Sequence, residues 1–247
     1  MEDMLLDIVT ENSVAILRMN NPPVNALSRE LITRLKTAFL EMEKKGAVKA
    51  VIITGAGRVF CAGADIKELA AIKTRKDGEA FAKSGQEMMD MIENFNIPVI
   101  AAVNGACIGG GNELAMACHL RIAAENAWFS QPEINLGIIP GFGGTQRLPR
   151  LIGKGRAVEM ILTGSKLTAR EALTIGLLNK IVPGERLMAE AKRIAAEIAM
   201  KGKLAIRSGL QAIYGRERED KLFGRLCETE DKETGIRAFL EKKKGGQ

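Results

Sequence analysis

Two glutamates, Glu113 and Glu133, stand where a charged side chain is out of place. Glu113 follows the run Gly109-Gly110-Gly111-Asn112 and opens an otherwise apolar stretch, Leu114-Ala115-Met116-Ala117-Cys118. Glu133 lies in Ser130-Gln131-Pro132-Glu133-Ile134-Asn135-Leu136-Gly137, again among apolar and small neighbours. A carboxyl drawn out of water keeps its proton to higher pH, which moves it toward the range useful for acid–base chemistry. Each residue taken singly also has a structural explanation, because first-turn glutamates offset the helix dipole and Pro-Glu is common at helix starts. Only the fold decides whether the two face one another.

The glycines offer complementary chemistry. Gly109-Gly110-Gly111 separates an apolar run from a helix start, where backbone N–H groups lack partners and favour negative charge. Without side chains, another group can come close to these amides. A second small-residue loop, Cys61-Ala62-Gly63-Ala64-Asp65, follows an earlier strand in the same way. Two such loops could donate from two sides to one developing oxyanion, although either alone is more commonly just a tight turn.

Other chemistries lose their motifs. Gly55-Ala56-Gly57 follows a strand, but Phe60 holds the third glycine position of a dinucleotide fingerprint. Gly141-Phe142-Gly143-Gly144 does not continue into a phosphate-binding P-loop. His119 is the only histidine, which leaves no converging metal set and no G-x-S-x-G to suggest a serine triad, so no metal is expected. Cys61, Cys107, Cys118 and Cys227 form no C-x-x-C and read as buried thiols in a reducing, cytoplasmic setting.

The frame holding these residues is 247 residues long, with 46% hydrophobic and 27% charged residues, a globular rather than a disordered composition. Its net charge of +6 would suit a phosphate-bearing ligand. Nucleic acid is not expected, because aromatics are only 4% and do not interleave with basic residues. The first ten residues carry Glu2, Asp3 and Asp7 without a cation, unlike a signal or transit peptide. The longest uncharged run, Asn94–Asn112, contains Pro98, Asn104 and several glycines, so a membrane span is rejected.

Strands are predicted at Met4–Thr10, Ser13–Met19, Lys49–Thr54, Pro98–Asn104, Arg121–Ala124, Ala127–Ser130 and Leu178–Val182. Ser28 is a candidate cap for a helix to about Lys45, and Phe81, Met88, Ile92 and Phe95 space a helix ending near Asn94. A further helix is expected from about Asn112 to Leu120, and Thr168-x-x-Glu171 is a capping box. Beyond Pro183 only helices are expected, over about 185–200, 203–226 and 230–243. The pattern is an α/β body, residues 1–195, followed by a docked helical region, 196–247.

At this point the chain resembles the enoyl-CoA hydratase (crotonase) family along essentially its whole length. The stretches that carry the likeness are Asn20–Leu27, Val59–Glu68, Pro98–Leu114, Phe129–Leu148, Leu162–Gly164 and Thr229–Lys242, in that order. The resemblance implies a right-handed spiral of ββα units with a C-terminal helical region that mediates trimers, often paired as hexamers. It implies an acyl-CoA thioester as substrate, its carbonyl held by the amides of Ala64 and Gly110, with CoA along Ala62, Ala64, Asp65, Ile66 and Lys67. It implies reversible hydration of a trans-2-enoyl-CoA in fatty-acid β-oxidation, with Glu113 acting on water, Glu133 on the α-carbon, and no cofactor. Isomerases of the family commonly keep one such glutamate, so isomerisation, like decarboxylation, is the alternative. Asn112 and Lys243 depart mildly from the family's habit. The far wall of the pocket is expected from residues 70–96, with Met88, Met89 and Met91 adapting to the acyl chain.

Overall fold

Runs of β-branched residues alternate with amphipathic helices, and the computed structural model, which describes residues 5–244 and the side chains of 5–241, winds them into two sheets. Strands β1 (Leu6–Glu11) and β2 (Val14–Met19) form an antiparallel hairpin, and helix α1 (Arg29–Lys45) follows. Ser28 caps α1 by accepting from Leu31 N–H, and Gly46 ends it at φ +64°, a left-handed turn suited to glycine.

A pattern then repeats. β3 (Ala50–Gly55) is followed by the short β4 (Val59–Cys61) and helices α2 (Ile66–Ala71) and α3 (Arg75–Glu93). β5 (Val99–Val103) is followed by β6 (Ala106–Ile108) and α4 (Gly110–Ala117). β7 (Leu120–Ala124) is followed by β8 (Trp128–Ser130) and a 3-10 turn, Pro132–Leu136. The long strands β3, β5 and β7 pair in parallel in a six-stranded sheet, while β4, β6 and β8 pair in parallel in a second, four-stranded one. Each round is thus a ββα unit, and parallel crossovers of this kind turn right-handed. Every residue of β3 and β5 is buried, as expected of strands covered on both faces.

Helices α5 (Gly144–Ile152) and α6 (Lys154–Thr163) precede β9 (Lys166–Thr168), which closes the second sheet, and α7 (Ala169–Thr174), which the Thr168–Glu171 capping box opens. β10 (Lys180–Val182) adds the last strand to the first sheet. Helix α8 (Leu187–Ala199) lays Leu187, Ala191 and Ala195 on the outer face of that sheet, against Ile52, Ile100 and Ile122. The expected boundary near residue 195 falls within α8. Helices α9 (Lys203–Ile213), α10 (Glu219–Cys227) and α11 (Glu230–Lys244) complete the chain.

The structure corrects several expectations. The single helix expected over 203–226 is two helices, because Gly215 takes φ +65° between α9 and α10. Strands β4, β6 and β9 are three residues each, too short to show a period in the sequence. Leu222 of the tail is buried, while Phe223 is exposed. Met4, placed in the first strand, and the side chain of Lys243 lie outside the described residues. Among the described residues, no helix is long and apolar enough to cross a membrane.

Candidate active site

The loop after β4 is tied down by a lone parallel bridge between Leu27 and Ala64. Leu27 N–H donates to the Gly63 carbonyl (2.7 Å) and Asp65 N–H to the Leu27 carbonyl (3.3 Å), which leaves Ala64 N–H without a protein acceptor among the described residues. The next turn of the spiral brings β6 beside β4, and Gly109 (φ +51°) bends the chain into α4, so Gly110 N–H is a first-turn donor without an acceptor among the described residues. The two loops touch. A Cβ on Gly110 would lie 3.2 Å from Ala64 N, and one on Gly111 would lie 2.2 Å from the Cys61 carbonyl. Only glycine lets these backbones approach, so the Ala64 and Gly110 amides are neighbours.

Glu113 is 1% exposed, and it does not cap its own helix. Its Oε1 accepts from Phe142 N–H (2.8 Å) and Gly144 N–H (2.6 Å), at the start of α5. The dipole it offsets therefore belongs to another helix. Burial, and next the neighbouring charge of Glu133, push its pKa up to about 8; the two amides and Arg147 pull in the opposite direction. Glu133, on the 3-10 turn, is half-buried, and burial pushes it up to about 7. A Cβ on Gly109 would meet its Oε1 at 2.8 Å, so Glu133 lies over the glycine run.

Gln131 sits between the two carboxyls. Its Nε2 lies 3.4 and 3.5 Å from the Glu133 oxygens, and a Cβ on Gly144 would sit 3.0 Å from that nitrogen and 2.9 Å from Glu113 Oε1. Arg147, 4% exposed, braces the loop opposite: Nη1 donates to the Phe142 carbonyl (3.1 Å), Nε to Glu93 (3.0 Å) and Nη2 to Asp90 (2.5 Å). Phe142 thus hands its carbonyl to Arg147 and its N–H to Glu113.

Both glutamates and the Ala64 and Gly110 loop positions line one cavity of about 1080 Å3. Ala62 and Ile66 line it as well, while the Asp65 carboxylate caps α2 by accepting from Lys67 N–H (2.8 Å), and Lys67 is exposed. Helix α3 supplies Phe81, Ala82 and Gln86 to the far wall. This corrects the expectation for the methionines: Met88 and Met89 are fully buried in the core, and Met91 packs against it. Leu136, Ile138 and Ile139 make an exposed apolar rim.

The sequence had not pointed to Gln131, Phe142, Gly144 or Arg147 as parts of the site. The available signal was Gly143-Gly144 before a helix, with Gly143 at φ +104°. His119 lies elsewhere; its Nδ1 accepts from Val99 N–H, and burial lowers its pKa to about 4. Among the described residues, no group of three His, Cys, Asp or Glu side chains is placed to hold a metal.

The family described as enoyl-CoA hydratase/isomerase matches residues 9–246. The chain belongs to this family. It is 44% identical to the crotonyl-CoA hydratase of Syntrophomonas wolfei, over 98% of this chain and 96% of that protein. It is 43% identical to the short-chain-enoyl-CoA hydratase of Clostridium acetobutylicum, over 95% and 94%. The crystal structure of an enoyl-CoA hydratase from Bacillus anthracis superposes with a TM-score of 0.91 at 38% identity, covering 97% of each chain. The enoyl-CoA hydratase/isomerase spiral is therefore the fold of this chain, in agreement with the crotonase-like α/β architecture expected from the sequence.

Proposed function

We propose that this protein is an enoyl-CoA hydratase, a hydro-lyase that reversibly adds water to a short trans-2-enoyl-CoA to give a 3-hydroxyacyl-CoA. The observation that carries the reading is the pair Glu113 and Glu133, both shifted toward neutrality, on one cavity beside two free amides. The likeness to proteins named as hydratases supports it.

In this reading the thioester carbonyl accepts from Ala64 and Gly110 N–H, which stabilise the enolate-like charge as it develops. Because the pair titrates between about 7 and 8, near neutral pH it holds about one proton between two carboxyls. That is the state the reaction needs, one base and one acid. Glu113 holds its proton the more tightly of the two, so its role as base in this reading requires the shared proton to pass to Glu133 when substrate binds, and the two N–H donors aimed at Glu113 Oε1 support the anion left behind. Glu113 takes a proton from water as the water oxygen bonds to C3. The C2=C3 π pair moves to C2 and takes the proton of Glu133. Exchange with solvent then resets both carboxyls.

CoA lies along Ala62, Ala64, Asp65, Ile66 and Lys67 in this reading, with Lys67 exposed toward the phosphates and Asp65 serving through its backbone. The substrate brings its own CoA, and no step calls for a metal or redox cofactor. The same reading places the enzyme in cytoplasmic fatty-acid β-oxidation, as a trimer or hexamer built through the helices after residue 195.

The test is a panel of trans-2- and trans-3-enoyl-CoA thioesters of graded length, assayed after chelator treatment. The expected result is hydration of short trans-2 substrates at full rate. Turnover of trans-3 substrates alone would replace hydration by isomerisation.

A further inference from the structure

Behind the catalytic cavity lies a second one, of about 420 Å3, and the two share a wall made by Glu93, Arg147 and Arg150. Its own lining includes Arg121 and Tyr214, with Met116, Leu151 and Ile213 as an apolar side. Arg121 is 6% exposed, and its charge is not matched. Its Nε donates to the Leu177 carbonyl (2.7 Å) and its Nη1 to the Cys118 carbonyl (2.6 Å), while Nη2 has no hydrogen bond among the described residues. Among the described residues, no carboxylate pairs with it.

The neighbours do not supply the missing charge. Arg216 stacks on Tyr214 at 5.0 Å and, among the described residues, donates only to the carbonyls of Glu93 and Asn94. Arg147 and Arg150 share Glu93, and Asp90 is engaged by Arg147. His119, edge-on to Tyr214 at 5.5 Å, is a neutral ring. Four guanidinium groups therefore surround this region with two carboxylates among them. A buried cation held only by carbonyls is costly, and an accessible guanidinium edge beside a cavity invites an anion.

We infer that this cavity is a binding site for a small carboxylate anion seated on the Arg121 guanidinium. Nη2, the nitrogen left free, can donate to a carboxylate oxygen, and the Tyr214 hydroxyl, close enough to feel the Arg121 charge, is a further donor. Met116, Leu151 and Ile213 give a short alkyl body somewhere to rest, which favours an aliphatic carboxylate over inorganic phosphate. The site stands apart from the hydration reaction, and its test reads binding rather than turnover.

The test is calorimetric titration of the full chain with sodium butyrate, and with sodium phosphate and sodium chloride at equal ionic strength. Butyrate should bind saturably at one site and raise the melting temperature, as any ligand of the folded state does. Arg121→Gln should abolish binding. Tyr214→Phe, which keeps the ring and its packing, should weaken it about five-fold, the value of one hydrogen bond; this variant carries the test if Arg121→Gln fails to fold. Absence of saturation, equal or tighter binding of phosphate, or butyrate binding indifferent to Tyr214→Phe, as for butyrate lodged in the catalytic cavity, would each overturn the site.

Discussion

Asn112 and Gln131 fix each other's amides: Asn112 Nδ2 donates to Gln131 Oε1 at 2.9 Å, and neither side chain is exposed at all. The bond turns the Gln131 NH2 toward the Glu133 oxygens. Asn112 Oδ1 has no partner among the described residues, so the residue contributes orientation more than stability.

Asn112→Leu keeps the volume and removes the bond that orients Gln131. It deletes one unpaired acceptor and creates another at Gln131 Oε1, so the melting temperature should change little. One neutral hydrogen bond is worth about 1 kcal/mol, hence kcat should fall roughly five-fold with KM unchanged. Steady-state kinetics beside a melting curve decides this, and a lower melting temperature with unaltered kcat would make Asn112 purely structural.

Glu113→Gln and Glu133→Gln should each lower kcat by about 10²–10⁴-fold, as expected for loss of a general acid or base. KM should move little. Because the two act on one transition state, the double variant should cost far less than the product of the single losses. Wild-type turnover by either single variant ends the two-glutamate mechanism.

Stability should report the same pair. Both carboxyls hold their protons more tightly in the folded protein than at the ordinary value of 4.5. Their contribution is fully present below about 4.5 and is lost as pH rises through about 7 and 8. The melting temperature of Glu113→Gln, which carries no such loss at that position, should therefore gain on the wild type between pH 5 and pH 9. Parallel melting curves across that range would mean Glu113 is not held protonated.

Gly110→Pro removes an oxyanion donor, and a β-carbon there would also press on Ala64 N and the Phe142 ring, both at 3.2 Å. A fall in kcat on the order of 10²–10³ is expected, as for loss of one oxyanion donor. A folded variant with near-normal turnover would move the oxyanion site elsewhere.

The helices after α8 expose Ile213 and Phe223. Light scattering should show a trimer-based assembly, and Phe223→Glu should weaken it. A monomer at every concentration contradicts this expectation.

The sequence was most readable where a residue type conflicted with its surroundings. Glu113 and Glu133 stood out because carboxyls are costly among apolar residues, and Gly109–Gly111 because three glycines in a row break any regular element. The long strands β3 and β5 were equally plain as unbroken apolar runs. What stayed hidden was contact across distance. Nothing local in Phe142 or Gly144 announces that their amides meet a carboxylate 29 and 31 residues earlier, and Arg147 reaches Glu93 across 54 residues. The methionines failed for a related reason: spacing fixed the α3 helix, but only the packed neighbours decide that Met88 and Met89 face the core while Phe81 and Gln86 face the cavity.

The clamp on Glu113 also sets an order of assembly. On a ribosome adding about 5–20 residues per second, α4 is complete roughly 1 to 5 seconds before Gly144 has been made. During that interval Glu113 is an ordinary anion with no amides to receive it, and seating α4 among its apolar neighbours would strand that charge. The helix has reason to wait in water until the loop that completes the site arrives. Seating of α4 and completion of the site are thus coupled, because both call on the loop at Phe142 and Gly144.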